Sequence, residues 1–147
     1  MDVWSLLGYA GCACSLGFSA LGSSIGCGIA GAASHGVMAK VDEGHGKFIG
    51  MSAAPSSQTI YGIVLMFVLL GKVSSGAGLA LFAIGLFCGL GIMVSAIYQG
   101  KVAATGILAS SKKPEIFGKC FAAVGVVESF ALFSMVFGLI VAGSISG

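Results

Sequence analysis

Arginine is absent from this sequence, and charge of either sign is scarce. Only 8% of the 147 residues are charged, against about 25% in a typical soluble domain. The seven basic residues are all lysines, spread too thinly to form the dense cationic face that nucleic acid needs. A glycine-rich phosphate loop is missing as well: the run "GSSIGCGIAG" lacks the terminal Gly-Lys-Ser/Thr, so no nucleotide site is expected. There are only two prolines. The five cysteines are odd in number, lie in or beside apolar runs and show no paired loop spacing, which excludes a disulfide framework. No basic segment precedes the first apolar stretch, which argues against a cleaved signal peptide.

What is abundant is apolar surface and glycine. Hydrophobic residues make up 57% of the chain, and there are 25 glycines. Val3–Ala39, Phe48–Gly71 and Val73–Gly100 carry no formal charge, and beyond Lys119 only Glu128 does. A helix needs about 20 apolar residues to cross the hydrocarbon of a bilayer. The expected architecture is all-α, with four transmembrane helices at about 5–38, 49–71, 76–109 and 120–145. They form two tandem helical hairpins, residues 1–75 and 76–147. The polar loops near 39–48 and 110–119, with their flanks, hold all the lysines except Lys72. The positive-inside rule therefore places those loops in the cytoplasm and both termini outside.

The two halves repeat. "SSIGCGIAGAA" parallels "SAIYQGKVAAT" at an offset of 72, and "QTIYG" parallels "ESFAL" at an offset of 70. Repeats that cannot bury themselves alone stack on one another. Glycine concentrates in the first helix (Gly17, Gly22, Gly26, Gly28, Gly31) and the third (Gly78, Gly85, Gly89), which are expected to crowd together while the bulkier second and fourth face lipid.

One carboxylate stands inside the last apolar run. An ionisable group at such a depth costs about 2.5–3.5 kcal/mol on insertion scales and marks a functional site by default. Gln58 and Gln99 fall at a similar level, each roughly 13–17 Å along its helix from the cytoplasmic loops. Ala54, Ser57, Gln58 and Tyr61 share one helical face, and Pro55 is expected to kink that helix and loosen nearby carbonyls. Glu128, the amide oxygens of Gln58 and Gln99, the Ser57 hydroxyl and the carbonyl of Ala54 would supply about five oxygens, a donor set for a hard cation. One carboxylate balances one monovalent ion. Lys101 is the rival partner for Glu128, but it sits about 200° around its helix from Gln99 and would snorkel away. Taken singly, each of these polar residues could simply bridge or cap helices.

The segments "PSSQTIYG", "YQGKVAATGI", "KKPEIFGK" and "VVESFALF", in that order and spacing, resemble the proteolipid subunit K of V/A-type rotary ATPases, the duplicated four-helix form of the rotor-ring proteolipid. The resemblance covers nearly the whole chain. It implies a homo-oligomeric ring in a bacterial or archaeal cell membrane, turning in lipid against a stator subunit that carries a cationic residue. Central-stalk subunits would dock at the cytoplasmic loops, around Asp42, Glu43, His45 and Lys112–Glu115. It implies that Glu128 is the ion-binding carboxylate, that Gln58, Gln99, Ser57 and Ala54 are its co-ligands for Na+, and that Tyr61 hydrogen-bonds the acid. The transported ion would be Na+ or H+, no organic cofactor is implied, and the chain itself would be non-catalytic. Gln58 stands where a single-hairpin ring proteolipid would carry its own acid. The residues also fit a small four-helix exporter exchanging protons on Glu128 for a lipophilic cation, or a membrane oligomer with no transport role.

Overall fold

The computed structural model describes residues 2–145 and, among them, is built from helices alone. The ends of the two expected hairpins, residue 1 and residues 146–147, lie outside the described residues. The helices are α1 (Val3–Met38), α2 (His45–Ser52), α3 (Ser57–Leu70), α4 (Gly78–Lys112) and α5 (Phe117–Gly143). Short 3-10 turns at Ala54–Ser56, Val73–Ser75 and Pro114–Ile116 connect them. Four stretches are long and apolar enough to cross a membrane: Val3–Met38, His45–Ser75, Gly78–Lys112 and Pro114–Gly143.

Local chemistry explains the boundaries. Asp2 starts α1 by accepting the Ser5 N–H at 2.8 Å, which satisfies one of the unpaired donors of a helix end. Both prolines sit in the first turn of a 3-10 segment, where the missing N–H costs least. The two segments differ in effect. Pro114 precedes a helix that then runs unbroken for 27 residues, whereas Pro55 interrupts a span already begun by α2. The second span is thus broken more fully than a kink: α2 ends, one 3-10 turn follows, and α3 starts afresh at Ser57.

The two hairpins lie in the same orientation. Glycines of α1 and α4 meet in ascending order on both helices, so α1 and α4 are parallel neighbours. A Cβ on Gly11, Gly26, Gly85 or Gly100 would overlap backbone atoms of the facing helix, so only glycine permits this approach. The expectation for helix one holds for Gly22 and Gly26 but not for Gly17, Gly28 and Gly31. Those three have nothing within 4 Å of where a Cβ would stand, because they fall on the face turned away from α4.

Serines close the other seams. Ser15 donates to the Gly62 carbonyl at 3.0 Å, Ser34 to the Phe48 carbonyl at 2.8 Å, and Ser95 to the Val127 carbonyl at 2.8 Å. Two apolar clusters result. One joins Cys12, Leu65, Leu69, Leu81 and Ile84; the other, toward the 39–44 loop, joins Ala30, Val37, Met51, Ala103 and Ile107. The polar residues singled out in the sequence lie between them.

Candidate ion-binding site

Three helices deliver the site. The break at Ala54–Ser56 brings Ser57 to the first residue of α3, so Ser57, Gln58 and Tyr61 occupy its first turns. Gln99 projects from α4, beside the glycine seam with α1, and Glu128 from the middle of α5. Gln58 and Gln99 are fully buried, while Ser57, Tyr61 and Glu128 are half-buried.

The carboxylate is held unevenly. Its Oε1 accepts the Ser57 hydroxyl at 2.6 Å and the Tyr61 hydroxyl at 2.6 Å. Its Oε2 accepts only a long bond from Gln99 Nε2, at 3.5 Å. Gln99 is fixed by two further bonds: Nε2 donates to the Val124 carbonyl at 3.1 Å, and Oε1 accepts from Gln58 Nε2 at 2.6 Å. Two short charge-assisted bonds on one oxygen and one long bond on the other leave Oε2 as the position open to a proton or a cation.

Oxygens outnumber hydrogens around Ser57. Its single hydroxyl proton has three acceptors in reach: Glu128 Oε1 at 2.6 Å, the Ala54 carbonyl at 3.1 Å and Gln58 Oε1 at 3.3 Å. One hydroxyl satisfies one of them, and Glu128 is nearest. The Gln58 amide oxygen and the Ala54 carbonyl therefore remain available to a positive guest. The Ala54 carbonyl is not bare, since the Ser57 N–H also bonds it, and the Ala53 carbonyl accepts the Ser56 N–H at 3.0 Å. Proline loosens the turn, and the 3-10 geometry re-satisfies it.

The amide of Gln99 points the other way from the sequence expectation. It turns nitrogen, not oxygen, toward Glu128, because its oxygen is engaged by Gln58. Lys101 is exposed, with its ammonium 4.7 Å from the Tyr98 ring centroid, so it pairs with an aromatic face and not with Glu128. His35 is exposed in the last turn of α1, away from the site. Among the described residues no three His, Cys, Asp or Glu side chains gather, so the donors are those of a hard cation: one carboxylate, amides, hydroxyls and a carbonyl. The serines that close the packing seams, Ser15, Ser34 and Ser95, were missed by sequence reasoning, and no common spacing marks them.

Comparison with known proteins accounts for the repeat. The family model for the C-subunit of ATP synthase matches twice, at residues 10–69 and 82–141. A protein named A-type ATP synthase subunit K, from Methanocaldococcus jannaschii, is 33% identical over 135 residues. That match takes in 92% of this chain but 61% of the relative, so the chain spans about three-fifths of the relative's length. A protein named V-type sodium ATPase subunit K, from Enterococcus hirae, is 32% identical over 130 residues, 81% of this chain and 79% of the relative. Four apolar spans, a hairpin matched twice by one family model and two relatives named as subunit K agree: the chain belongs to the ATP synthase C-subunit family, as a duplicated, V/A-type subunit K member.

Proposed function

We propose that copies of this chain form a membrane rotor ring in which Glu128 carries a monovalent cation, coupling ion passage to ATP hydrolysis or synthesis in other subunits. The observation that carries this reading is the single carboxylate at the meeting of α3, α4 and α5. It is clamped on Oε1 by Ser57 and Tyr61 and left nearly free on Oε2.

The clamp orients the anion, and the guest neutralises it. A neutral site crosses the lipid-facing part of the rotation, where a bare carboxylate would be costly. A cationic stator residue takes over the role when the guest departs toward one side, and reloading occurs from the other. Each unit charge moved is driven by about 2.3 kcal/mol per 100 mV. Sodium is the preferred cargo. The surplus oxygens of Gln58 and Ala54 suit it, a half-turn of the Gln99 amide adds another, and one matched relative is named a sodium ATPase subunit. The same clamp would hold a protonated Glu128 in a proton-carrying ring.

At the loop end, a cleft of about 670 Å³ bordered by Asp42, Glu43, Lys47, Ser110 and Phe117 is where the central stalk would dock. That end is assigned to the cytoplasm of a bacterial or archaeal cell, with residues 1–75 and 76–147 as the two hairpins. The chain contributes no catalytic group to ATP chemistry, which belongs to its partners.

The test is carbodiimide labelling of Glu128 in the assembled complex at fixed pH. Sodium that slows labelling, with labelling abolishing ATP-driven ion movement, is the expected result. Labelling that leaves ion movement intact overturns the assignment, and labelling that sodium does not slow but that falls as the pH is raised converts the cargo to H+.

A further inference from the structure

One buried hydroxyl is left over. Ser23 is 6% exposed, and among the described residues its Oγ is the single buried side-chain nitrogen or oxygen with no hydrogen-bond partner. Buried polar groups are almost always paired, because an unpaired one loses its bonds to water and gains none in return. The serines that close the helix seams follow this: Ser15, Ser34 and Ser95 each donate across to a carbonyl of a neighbouring helix.

Two contacts bracket the place that Ser23 faces. A Cβ on Gly62 would strike Ser19, and one on Gly26 would strike Pro55. Ser23 is four residues past Ser19 and three before Gly26, while Gln58 is four before Gly62 and three past Pro55. The first and second spans run antiparallel, so these two intermediate residues oppose each other, and both are buried. The internal repeat points to the same place. The offset of 72 makes Ser95 the counterpart of Ser23, and the offset of 70 makes Val127 the counterpart of Ser57. Ser95 donates to the Val127 carbonyl at 2.8 Å, one residue before Glu128. Ser23 correspondingly stands beside Ser57 and Gln58, at the back of the ion site.

We infer that Ser23 is a positioning residue of that site, a spare acceptor that takes the Gln58 amide when the Gln99 amide turns its oxygen toward the cargo. This rests on the sodium reading and names the group that lets both glutamines offer oxygen at once. In the arrangement observed, Gln58 Nε2 donates to Gln99 Oε1 at 2.6 Å. A cation beside Glu128 draws Gln99 Oε1 toward itself, and the half-turn of the amide brings Gln99 Nε2 round to Gln58. Two N–H groups would then face each other. If Gln58 turned in response, its own oxygen would leave the cargo. With an acceptor behind it, Gln58 need not turn. Its Nε2 passes to Ser23 Oγ, and its Oε1 keeps one lone pair for the cargo while accepting Gln99 Nε2 on the other. Gln99 gives up its bond to the Val124 carbonyl in exchange. The Ser23 proton goes to the Ser19 carbonyl one turn back, as Ser19 itself donates to the Ser15 carbonyl at 2.7 Å. Every donor is placed, and Ser23 never touches the cargo.

The test is Ser23→Ala in the assembled complex, read by carbodiimide labelling of Glu128 at fixed pH. Without sodium the labelling rate should stay within about two-fold of the parent, because the spare acceptor is then idle. The sodium concentration that halves the rate should rise about three- to ten-fold, the contribution of one hydrogen bond. Ser23→Cys, which nearly keeps the volume but offers only a weak acceptor, should show the same split. Assembly, and the thermal midpoint without sodium, should match or exceed the parent, since an unpaired hydroxyl adds nothing to the fold. A structural role would instead disturb assembly, midpoint or sodium-free labelling, and any of these in Ser23→Ala overturns the inference. So does parent-like sodium affinity in either variant. Absence of sodium protection in the parent overturns the ion reading together with this one, whereas equal protection in parent and variants removes Ser23 alone.

Discussion

The two hairpins descend from one pattern, yet they divide the work. In the first, the second span is interrupted at Ala54–Ser56 and carries Gln58, an amide that is fully buried and bonded to Gln99. In the second, α5 runs unbroken through Glu128, which is half-buried where α5 meets α3 and α4. A neutral amide can be locked in the core at no electrostatic cost, whereas a carboxylate that must exchange its guest needs a way out. On the proposed function, the broken half would supply ligands from a fixed turn, and the continuous half would present the group that is loaded and emptied. Duplication allowed one member of a former pair to become scaffold for the other.

The most damaging way to probe this division is Glu128→Gln, which makes both halves neutral. Ion movement coupled to ATP in the assembled complex should fall below about 1% of the parent, while the ring still assembles and α5 keeps its length, because no packing atom is lost. Swapping the roles, with Gln58→Glu and Glu128→Gln together, should not restore movement. The new acid would sit fully buried against Gln99, away from the paired Ser57 and Tyr61 hydroxyls that clamp Glu128. Recovery beyond a tenth of the parent rate would show that the halves are interchangeable.

Smaller effects follow from the clamp. A hydrogen bond to a charged group contributes about 1.5–3 kcal/mol. Ser57→Ala removes one from Oε1 together with a proposed cargo ligand, and sodium affinity, read by carbodiimide protection, should drop about 10- to 100-fold. Tyr61→Phe removes a bond to the same oxygen but no cargo ligand, so its drop should be about three- to ten-fold. A larger loss from Tyr61→Phe than from Ser57→Ala would mean that orientation, not ligation, dominates. Last, Gly26→Val and Gly17→Ala compare the two faces of α1. The first forces a side chain into the α4 backbone and should lower the thermal midpoint of the purified protein by several degrees. The second enters open space, replaces glycine with a better helix former worth about 0.8–1 kcal/mol, and should leave the midpoint equal or slightly higher.

Much of this was legible in the sequence, for reasons that can be named. Long charge-free runs force spanning helices because hydrocarbon offers no alternative partner for the backbone, so all four spans could be read without structure. Glu128, Gln58 and Gln99 could be brought to one level by rise per residue, Ser57 and Tyr61 by their shared helical face and the family resemblance, and the structure joins all five in one hydrogen-bond network. Lys101 could be turned aside by angle, as observed. The orientation of the Gln99 amide could not be read, because it depends on which neighbour claims the oxygen first, and Gln58 does. The open face of Gly17, Gly28 and Gly31 was equally hidden: composition reveals that a helix is rich in small residues but not which side meets the partner. The break after Ser52 was visible only as a proline, whose effect on two neighbouring carbonyls depends on how the next turn winds.

The parallel seam of α1 and α4 has a mechanical consequence. Side chains absorb shear by hopping between rotamers, and peptide planes have no such freedom. Where Gly26 and Gly100 bring main chain onto main chain, a sideways push on the polar loops has no soft element in which to dissipate. Each protomer would therefore turn as a stiff stave, and any elastic wind-up between ion stepping and nucleotide chemistry would have to be stored elsewhere in the machine.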